Sequence, residues 1–174
     1  MLLALKCGLR LGETLGLTWD NINDKNKTIK IEKQWKQITE TEYGFWELKS
    51  DNSNRIIPIS EKTLNELKKA KKVVNMNNRL FNFKNTDSVS ICINRLFKLR
   101  GYDITIHQLR HTYTTKLIAK GVDFKTVAKL LGHNIEQTMK TYSHVNDDRM
   151  RRAEKLIKKF FDEIFDELKI ALDL

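Results

Sequence analysis

Three glycines, at positions 101, 121 and 132, each follow a segment that is typical of a helix. Glycine readily adopts the left-handed conformation that closes a helix, so this spacing predicts a series of helices joined by tight turns. Two short helices are predicted within Met1–Leu17, with a break near Cys7–Gly8. The later predicted helices are Ser60–Val74, a helix from Ser88 or Ser90 to Leu99, Ile106–Lys120, a helix capped by Asp123 that ends at Leu131, Glu136–Tyr142, and a last helix from about Asp147 to the end of the chain.

The chain before residue 60 carries a different pattern. Thr28–Trp35 alternates apolar and polar residues, which is typical of a half-buried strand. Phe45–Lys49 and Arg55–Ile59 are two further strand candidates, and turn-forming residues fill Ser50–Asn54 between them. The sequence therefore predicts a mainly α fold with a small three-stranded antiparallel sheet near the N-terminus.

The composition fits one globular domain that binds a polyanion. The chain has 174 residues and a net charge of +10, and such an excess favours nucleic acid because each neutralised phosphate releases condensed counterions. A solvated basic surface without a partner is the alternative. No apolar run is long enough to span a membrane. Cys7 and Cys92 lie far apart, which is typical of free thiols, and we expect a reducing cytoplasm.

Four polar residues in the predicted helical part of the chain are candidates for a functional site: His107, Arg110, His133 and Tyr142. His107 and Arg110 are three residues apart, so they share one face of a helix while Leu109 points to the core. His133 follows the glycine that ends a helix, and Tyr142 comes after the next helical piece. Each of these residues, taken singly, has an ordinary explanation in packing or in solvation.

Two further candidates lie in the first third of the chain. Arg10 stands between Gly8 and Gly12, and Glu13 lies on the same helical face. A buried ion pair that holds two helices together would explain this arrangement equally well. Lys49 ends a strand at the mouth of a turn, where a lysine is most often solvated.

In this order, the candidates together resemble the active site of the tyrosine recombinase family. The matching stretches, which span Cys7 to Tyr142, are Gly8–Leu17, His107–Thr112, Leu130–His133 and Thr138–Tyr142. The matching reactive positions are Arg10, Lys49, His107, Arg110, His133 and Tyr142. Each motif is loose, but their order and spacing are specific. The resemblance implies the catalytic domain of a site-specific DNA recombinase of the phage integrase type, with that family's fold.

The resemblance also implies a division of roles. Tyr142 would attack a DNA phosphate and form a 3′-phosphotyrosine, while Lys49 would protonate the leaving 5′-hydroxyl. His107 would help to deprotonate the tyrosine or hold the phosphate, and Glu13 would orient its neighbours. No cofactor is expected, because the covalent bond conserves the energy of the phosphodiester.

Elementary chemistry agrees with a cationic site. A phosphodiester is a poor electrophile, because its negative charge repels nucleophiles and grows at the pentavalent transition state. Arg10 and Arg110 can each direct two N–H groups at the non-bridging oxygens, and His133 can add another donor. Each such donor contributes about 2–4 kcal/mol of transition-state stabilisation. The sequence offers no clear cluster of acidic metal ligands, so the charge must be neutralised by cationic side chains.

One alternative is a zinc site. His107 and His111 are four residues apart, the spacing of a helical zinc pair. A metalloprotease motif would place a glutamate beside the first histidine, whereas Gln108 stands there, and no good third ligand is evident. We therefore predict no metal. His111 is assigned to helix packing or to support of the site, and His144 to solvent.

The resemblance carries expectations about organisation and partners. Residues 1–174 are expected to be a single catalytic domain, without the core-binding and arm-binding domains that family members carry N-terminally. The expected partner is double-stranded DNA, bound by a tetramer, with the isolated domain as a monomer. The segment 147–174 carries a strong apolar stripe, and this helix is expected either to pack on its own domain or to be exchanged between protomers. The setting would be integration or excision of a mobile element in bacteria or phage.

Three other functions compete with this one. A type IB topoisomerase-like strand transferase would share the tyrosine and the cations, but that group has a lysine where His107 stands. A non-catalytic DNA-binding module would not need six reactive residues in order. A helical interaction protein would explain the C-terminal apolar stripe but not the reactive set.

Overall fold

The computed structural model describes residues 2–69 and 77–143, together with residues 145, 151, 154 and 157. The end of the helix predicted at 60–74, His144, and nearly all of the helix predicted at 147–174 lie outside the described residues. Within the described part of the chain, no helix is long and apolar enough to cross a membrane.

Within the ranges 2–69 and 77–143, seven helices follow the predicted order. Their bounds are α1, Leu2–Cys7; α2, Leu11–Leu15; α3, Glu61–Lys69; α4, Thr86–Leu99; α5, Ile106–Ala119; α6, Phe124–Leu131; and α7, residues 135–143. The break between α1 and α2 falls at Gly8, as predicted, and its φ of +66° is one that only glycine adopts at little cost.

Capping side chains fix where two of these helices begin. Asp123 accepts a hydrogen bond from the N–H of Thr126 at 2.9 Å, which confirms the predicted start of α6. The predicted start of α4 at Ser88 or Ser90 is wrong. The helix begins earlier, because the Asn85 side chain accepts the N–H groups of the second and third helical residues at 2.9 Å each.

Two small antiparallel sheets occupy the region between α2 and α3. One has three strands in the order β1 (Ile22–Asn23), β2 (Thr28–Ile31) and β5 (Arg55–Pro58). The other is a hairpin of β3 (Gln34–Gln37) and β4 (Tyr43–Trp46).

The predicted three-stranded sheet is therefore present, but its members differ from the prediction. The strand expected at Thr28–Trp35 ends at Ile31, and a second strand begins at Gln34. The strand expected at Phe45–Lys49 begins at Tyr43 and pairs with β3 rather than with β2 or β5. Directly opposite residues explain this pairing, since Trp35 and Phe45 meet edge to face with ring centroids 5.3 Å apart.

The described core has two parts. One joins α1, the three-stranded sheet and α3 through Leu3, Cys7, Leu9, Leu17, Ile29, Ile31, Ile57, Ile59, Leu64 and Leu67. The other joins α5, α6 and α7 through Ile118, Val127, Leu131, Tyr142 and Val145. The two parts come together where α1 packs on α5. The approach is close at Gly8, directly after α1, where an added Cβ would lie only 2.5 Å from the ring of Tyr113.

Candidate active site

One cleft of about 500 Å³ opens where the ends of several elements meet. All six reactive residues proposed from the sequence line it: Arg10, Lys49, His107, Arg110, His133 and Tyr142. They come from the turn before α2, the loop after β4, the first half of α5, the turn before α7, and α7 itself. Residues up to 132 positions apart in the sequence therefore face one space. The lining also includes His111, Ser50, Asn52, Ser53, Gly132, Asn134, Gln137 and Thr141.

Arg110 is the buried cation of this cleft, with 2% of its surface exposed. Its guanidinium donates to the carbonyl of Gly8 at 2.5 Å and to the carbonyl of Leu131, at the end of α6, at 2.7 Å. Burial lowers the pKa of Arg110 to about 9, with a further contribution from the charge of Arg10. This value is still well above neutrality, so the guanidinium remains charged.

Glu13 is a buried carboxylate that holds three arginines. It accepts from the backbone N–H of Arg10 at 2.8 Å and from the Arg10 guanidinium at 2.7 Å. Its two oxygens accept from Arg55 at 3.1 and 2.8 Å, and Arg110 lies 3.8 Å away. Burial alone would raise the pKa of Glu13, but the hydrogen bonds and charges of Arg55 and Arg10 outweigh it and hold the pKa at about 2.

Sequence reasoning missed Arg55. This residue is 5% exposed, and besides Glu13 it binds the carbonyls of Leu130 at 2.7 Å and Ser53 at 2.9 Å. It thereby joins β5, α2 and the end of α6 beneath the cleft. A signal was available, because Arg55 has the same strand parity as the buried Ile57 and so lies on the inward face of β5.

His133 faces the cleft because the chain turns at Gly132. Gly132 has a φ of +64°, and a Cβ there would lie 2.9 Å from the Arg55 guanidinium, so the position is closed to other residues. The Nε2 of His133 lies 2.9 Å from the guanidinium of Arg110. Burial, followed by the charges of Arg110 and Arg10, lowers the pKa of His133 to about 4. A neutral ring whose Nε2 accepts from Arg110 carries its proton on Nδ1.

Tyr142 is held between the apolar core and the cleft. The residue is 4% exposed and packs with Leu131 and Ile118 in the second part of the core. Its hydroxyl lies 2.6 Å from Nδ1 of His111, the residue that the sequence had assigned only to packing or support.

The remaining candidates lie at the edge of the cleft. His107 is exposed and its ring meets the ring of His111 edge on, with centroids 4.8 Å apart. Burial, then the charges of His111 and Arg110, lowers the pKa of His107. Lys49 is exposed in the loop after β4, and the side chain of Arg10 is 36% exposed. These side chains are more exposed than Arg110, which lines the floor of the cleft, and than Glu13, which does not line it.

The chain matches the model of the phage integrase family over residues 1–149. It is 31% identical to a tyrosine recombinase XerC-like protein of Caldanaerobacter subterraneus, over 92% of this chain and 48% of that one. It is 28% identical to the transposase from transposon Tn916 of Enterococcus faecalis, over 91% of this chain and 45% of that one. The chain spans about half the length of the curated relatives it matches.

Solved structures show the same fold. The Tn1549 transposon integrase, in complex with transposon right end DNA, superimposes with a TM-score of 0.72 at 24% identity, over 87% of this chain and 57% of that one. XerA recombinase gives a TM-score of 0.67 at 22% identity, over 88% and 55%. The fold is thus that of a tyrosine recombinase catalytic domain, as the sequence predicts. The chain itself belongs to the phage integrase family.

Proposed function

We propose that this chain is the catalytic part of a site-specific DNA recombinase that cuts and rejoins DNA through a 3′-phosphotyrosine at Tyr142. The observation that carries the proposal is the cleft that collects two arginines, three histidines, a lysine and this tyrosine. Membership of the phage integrase family supports it. So does the fold shared with an integrase that was solved on transposon DNA.

The cations of the cleft fit the charge that develops in phosphoryl transfer. Arg10 and Arg110 would hold the non-bridging oxygens, and both are fixed before DNA arrives, since Glu13 and backbone carbonyls already orient them. Such preorganised donors stabilise a transition state without reorganising during the reaction. His133 would add a hydrogen bond through Nε2, once that nitrogen carries the proton and turns from Arg110 to the phosphate.

The reaction conserves the phosphodiester. The Tyr142 oxygen forms a bond to phosphorus, the bond to the 5′-oxygen breaks, and Lys49 gives that oxygen a proton. Attack by another 5′-hydroxyl on the phosphotyrosine reverses these steps and joins a new strand. No cofactor is required by this chemistry, because the covalent intermediate conserves the bond energy.

The proposed partner is double-stranded DNA, in keeping with the net charge of +10. The proposed assembly is a tetramer on DNA, in which the segment 147–174 is exchanged between protomers, and a monomer without DNA. The proposed setting is the cytoplasm of a bacterium, during integration or excision of a mobile element. Relatives named as transposases of Tn916 and Tn554 support this setting.

A covalent adduct tests the proposal directly. The chain is incubated with a pool of nicked duplexes that carry randomised sequence around the nick, so that cleavage releases a short strand and traps the intermediate. We expect a protein–DNA adduct that survives denaturant and is absent from Tyr142→Phe, which lacks only the attacking oxygen. Equal adduct in the wild type and in Tyr142→Phe would remove the tyrosine from the mechanism. Relaxation of supercoils without strand exchange would favour the topoisomerase-like alternative.

A further inference from the structure

We propose, on the basis of the function proposed above, that His111 is a catalytic residue that accepts the proton of Tyr142 during DNA cleavage. The resemblance to the family implied that His107 helps to deprotonate the tyrosine or holds the phosphate, and the sequence assigned His111 to packing or support. In the structure, His111 is the histidine whose ring nitrogen meets the tyrosine hydroxyl among the described residues.

The geometry is that of a base already in contact with its acid. The Tyr142 hydroxyl oxygen lies 2.6 Å from Nδ1 of His111. This separation falls at the short end of the range of about 2.6–3.2 Å over which a general base can take a proton directly. In the proposed role the phenol is the donor and Nδ1 the acceptor, which requires the ring to carry its own proton on Nε2.

The fold holds both partners of this contact rigidly. Tyr142 packs in the apolar core, which leaves its hydroxyl little choice of partner. His111 is half-buried in α5 and follows Arg110, whose guanidinium is tied to the carbonyls of Gly8 and Leu131. Further along α5, Thr114 is fully buried and also bonds the carbonyl of Arg110.

Charged and polar side chains of the cleft surround the ring of His111. The rings of His107 and His111 meet edge on, with centroids 4.8 Å apart. The same cleft is lined by Arg10, Lys49, Arg110 and His133. Of these residues Arg10, Lys49 and Arg110 are cations, so the cleft suits an anion. A DNA phosphate, once bound, compensates them and stabilises the imidazolium that forms.

The O–H proton of Tyr142 moves to Nδ1 of His111 as the phenolic oxygen bonds to phosphorus. The bond from phosphorus to the 5′-oxygen breaks, and that oxygen takes its proton from Lys49. Strand joining runs in reverse, since the incoming 5′-hydroxyl returns a proton to Lys49 and the departing phenolate recovers one from His111.

Two variants separate proton transfer from positioning. His111→Asn places an amide oxygen near the site of Nδ1, so it keeps an acceptor for the tyrosine but cannot take up its proton. His111→Ala removes both functions. Thr112→Ala, on the exposed neighbour of His111 in α5, is the matched control. Adduct formation is followed against pH on the nicked pool, with DNA affinity and melting temperature measured for every variant.

We expect both His111 variants to lose about 100-fold or more in cleavage rate at neutral pH while DNA affinity is retained, as for removal of a general base. The pH profile of cleavage should differ between the wild type and His111→Asn, because only the histidine can take up the proton of the tyrosine. Added imidazole should restore part of the rate to His111→Ala. Thr112→Ala should behave as the wild type.

The contrary results are distinct. A wild-type rate and pH profile in His111→Asn would show that His111 only positions the tyrosine, and would overturn the assignment alone. Unchanged cleavage in His111→Ala would do the same. A wild type that forms no adduct would refute the proposed function, and the role of His111 with it.

Discussion

At the scale of single residues, the cleft combines two kinds of arginine. Arg110 is buried, and its guanidinium closes the ends of two helices through the carbonyls of Gly8 and Leu131. Arg10 is more exposed, and among the described residues the carboxylate of Glu13 holds its guanidinium. Both are proposed to bind the same phosphate, yet replacing them should have different consequences for the rest of the protein.

Substitution by lysine distinguishes the two arginines. Lysine keeps the charge but loses the planar fork, so both Arg10→Lys and Arg110→Lys should slow adduct formation by about 100-fold or more. Only Arg110→Lys should also lower the free energy of unfolding, by about 1–3 kcal/mol, because it leaves a buried carbonyl without its donor. Rates on the nicked pool and denaturant titrations measure the two effects. Wild-type cleavage by either variant would show that its arginine is purely structural.

At the scale of elements, one carboxylate joins pieces of the chain that are far apart. Glu13 lies in α2, Arg55 opens β5, and Arg110 lies in α5. Burying a carboxylate costs free energy unless its partners compensate the lost hydration. Removal of one partner is strongly destabilising, because it leaves a buried charge without compensation. The pKa of Glu13, about 2, lies below the ordinary value of 4.5, so Arg55 and Arg10 stabilise the ionised carboxylate by more than burial destabilises it.

This pKa predicts how stability depends on pH. The pKa of Glu13 falls from 4.5 to about 2 on folding, so the ionised carboxylate stabilises the fold above pH 4.5. The contribution, about 3 kcal/mol, is lost as the pH falls from about 4.5 towards 2. Glu13→Gln should be less stable at pH 7 and should lose less stability between pH 5 and 2. Thermal melts across that range measure both effects.

The matched control for that experiment is Glu66→Gln. Glu66 is an exposed carboxylate, 3.4 Å from Lys69 in the same helix, and such pairs contribute little. The control should keep the acid dependence of the wild type. A Glu13→Gln variant that also kept it would show that the carboxylate does not govern acid unfolding.

Sequence patterns predicted elements better than the contacts between them. The helix stop at Gly132 and the cap at Asp123 follow from local backbone chemistry, which a sequence displays directly. The strand predicted at Phe45–Lys49 was placed in the three-stranded sheet, whereas β4 pairs with β3, because alternation defines a strand's faces but not its partner. The contact between His111 and Tyr142 depends on how α5 packs against α7, which no spacing within either helix reveals.

Residue order, by contrast, was enough to find the cleft. Arg10, Lys49 and Tyr142 are ordinary residues singly, and only their sequence of appearance with the two histidine motifs was specific. Arg55 was missed because the segment was interpreted only as a strand. Its charge at a position on the same face of the strand as the buried Ile57 was overlooked. A charged residue at an inward position of a strand is the signal to look for.

At the scale of the whole molecule, the proposed assembly depends on the segment 147–174. Truncation after Asp148 should leave a folded chain that stays monomeric, if the apolar stripe at Phe160, Phe161, Ile164, Phe165 and Leu168 contacts a neighbouring protomer. Each such side chain contributes roughly 1.5–3 kcal/mol when buried. Sedimentation of both forms at high concentration, with and without DNA, measures the assembly. A truncated chain that unfolds would show instead that the segment belongs to its own domain.

The hydrogen bond from Arg110 to the carbonyl of Gly8 closes a loop of 102 residues. A ribosome delivers Gly8 and Arg10 long before it delivers α5, and Tyr142 emerges later still. Through most of its synthesis, a nascent chain therefore lacks Arg110, which is the partner of that carbonyl, and the nucleophile Tyr142. The proposed capacity to cut DNA would therefore arise only once translation has passed α7, and unfinished chains would lack it.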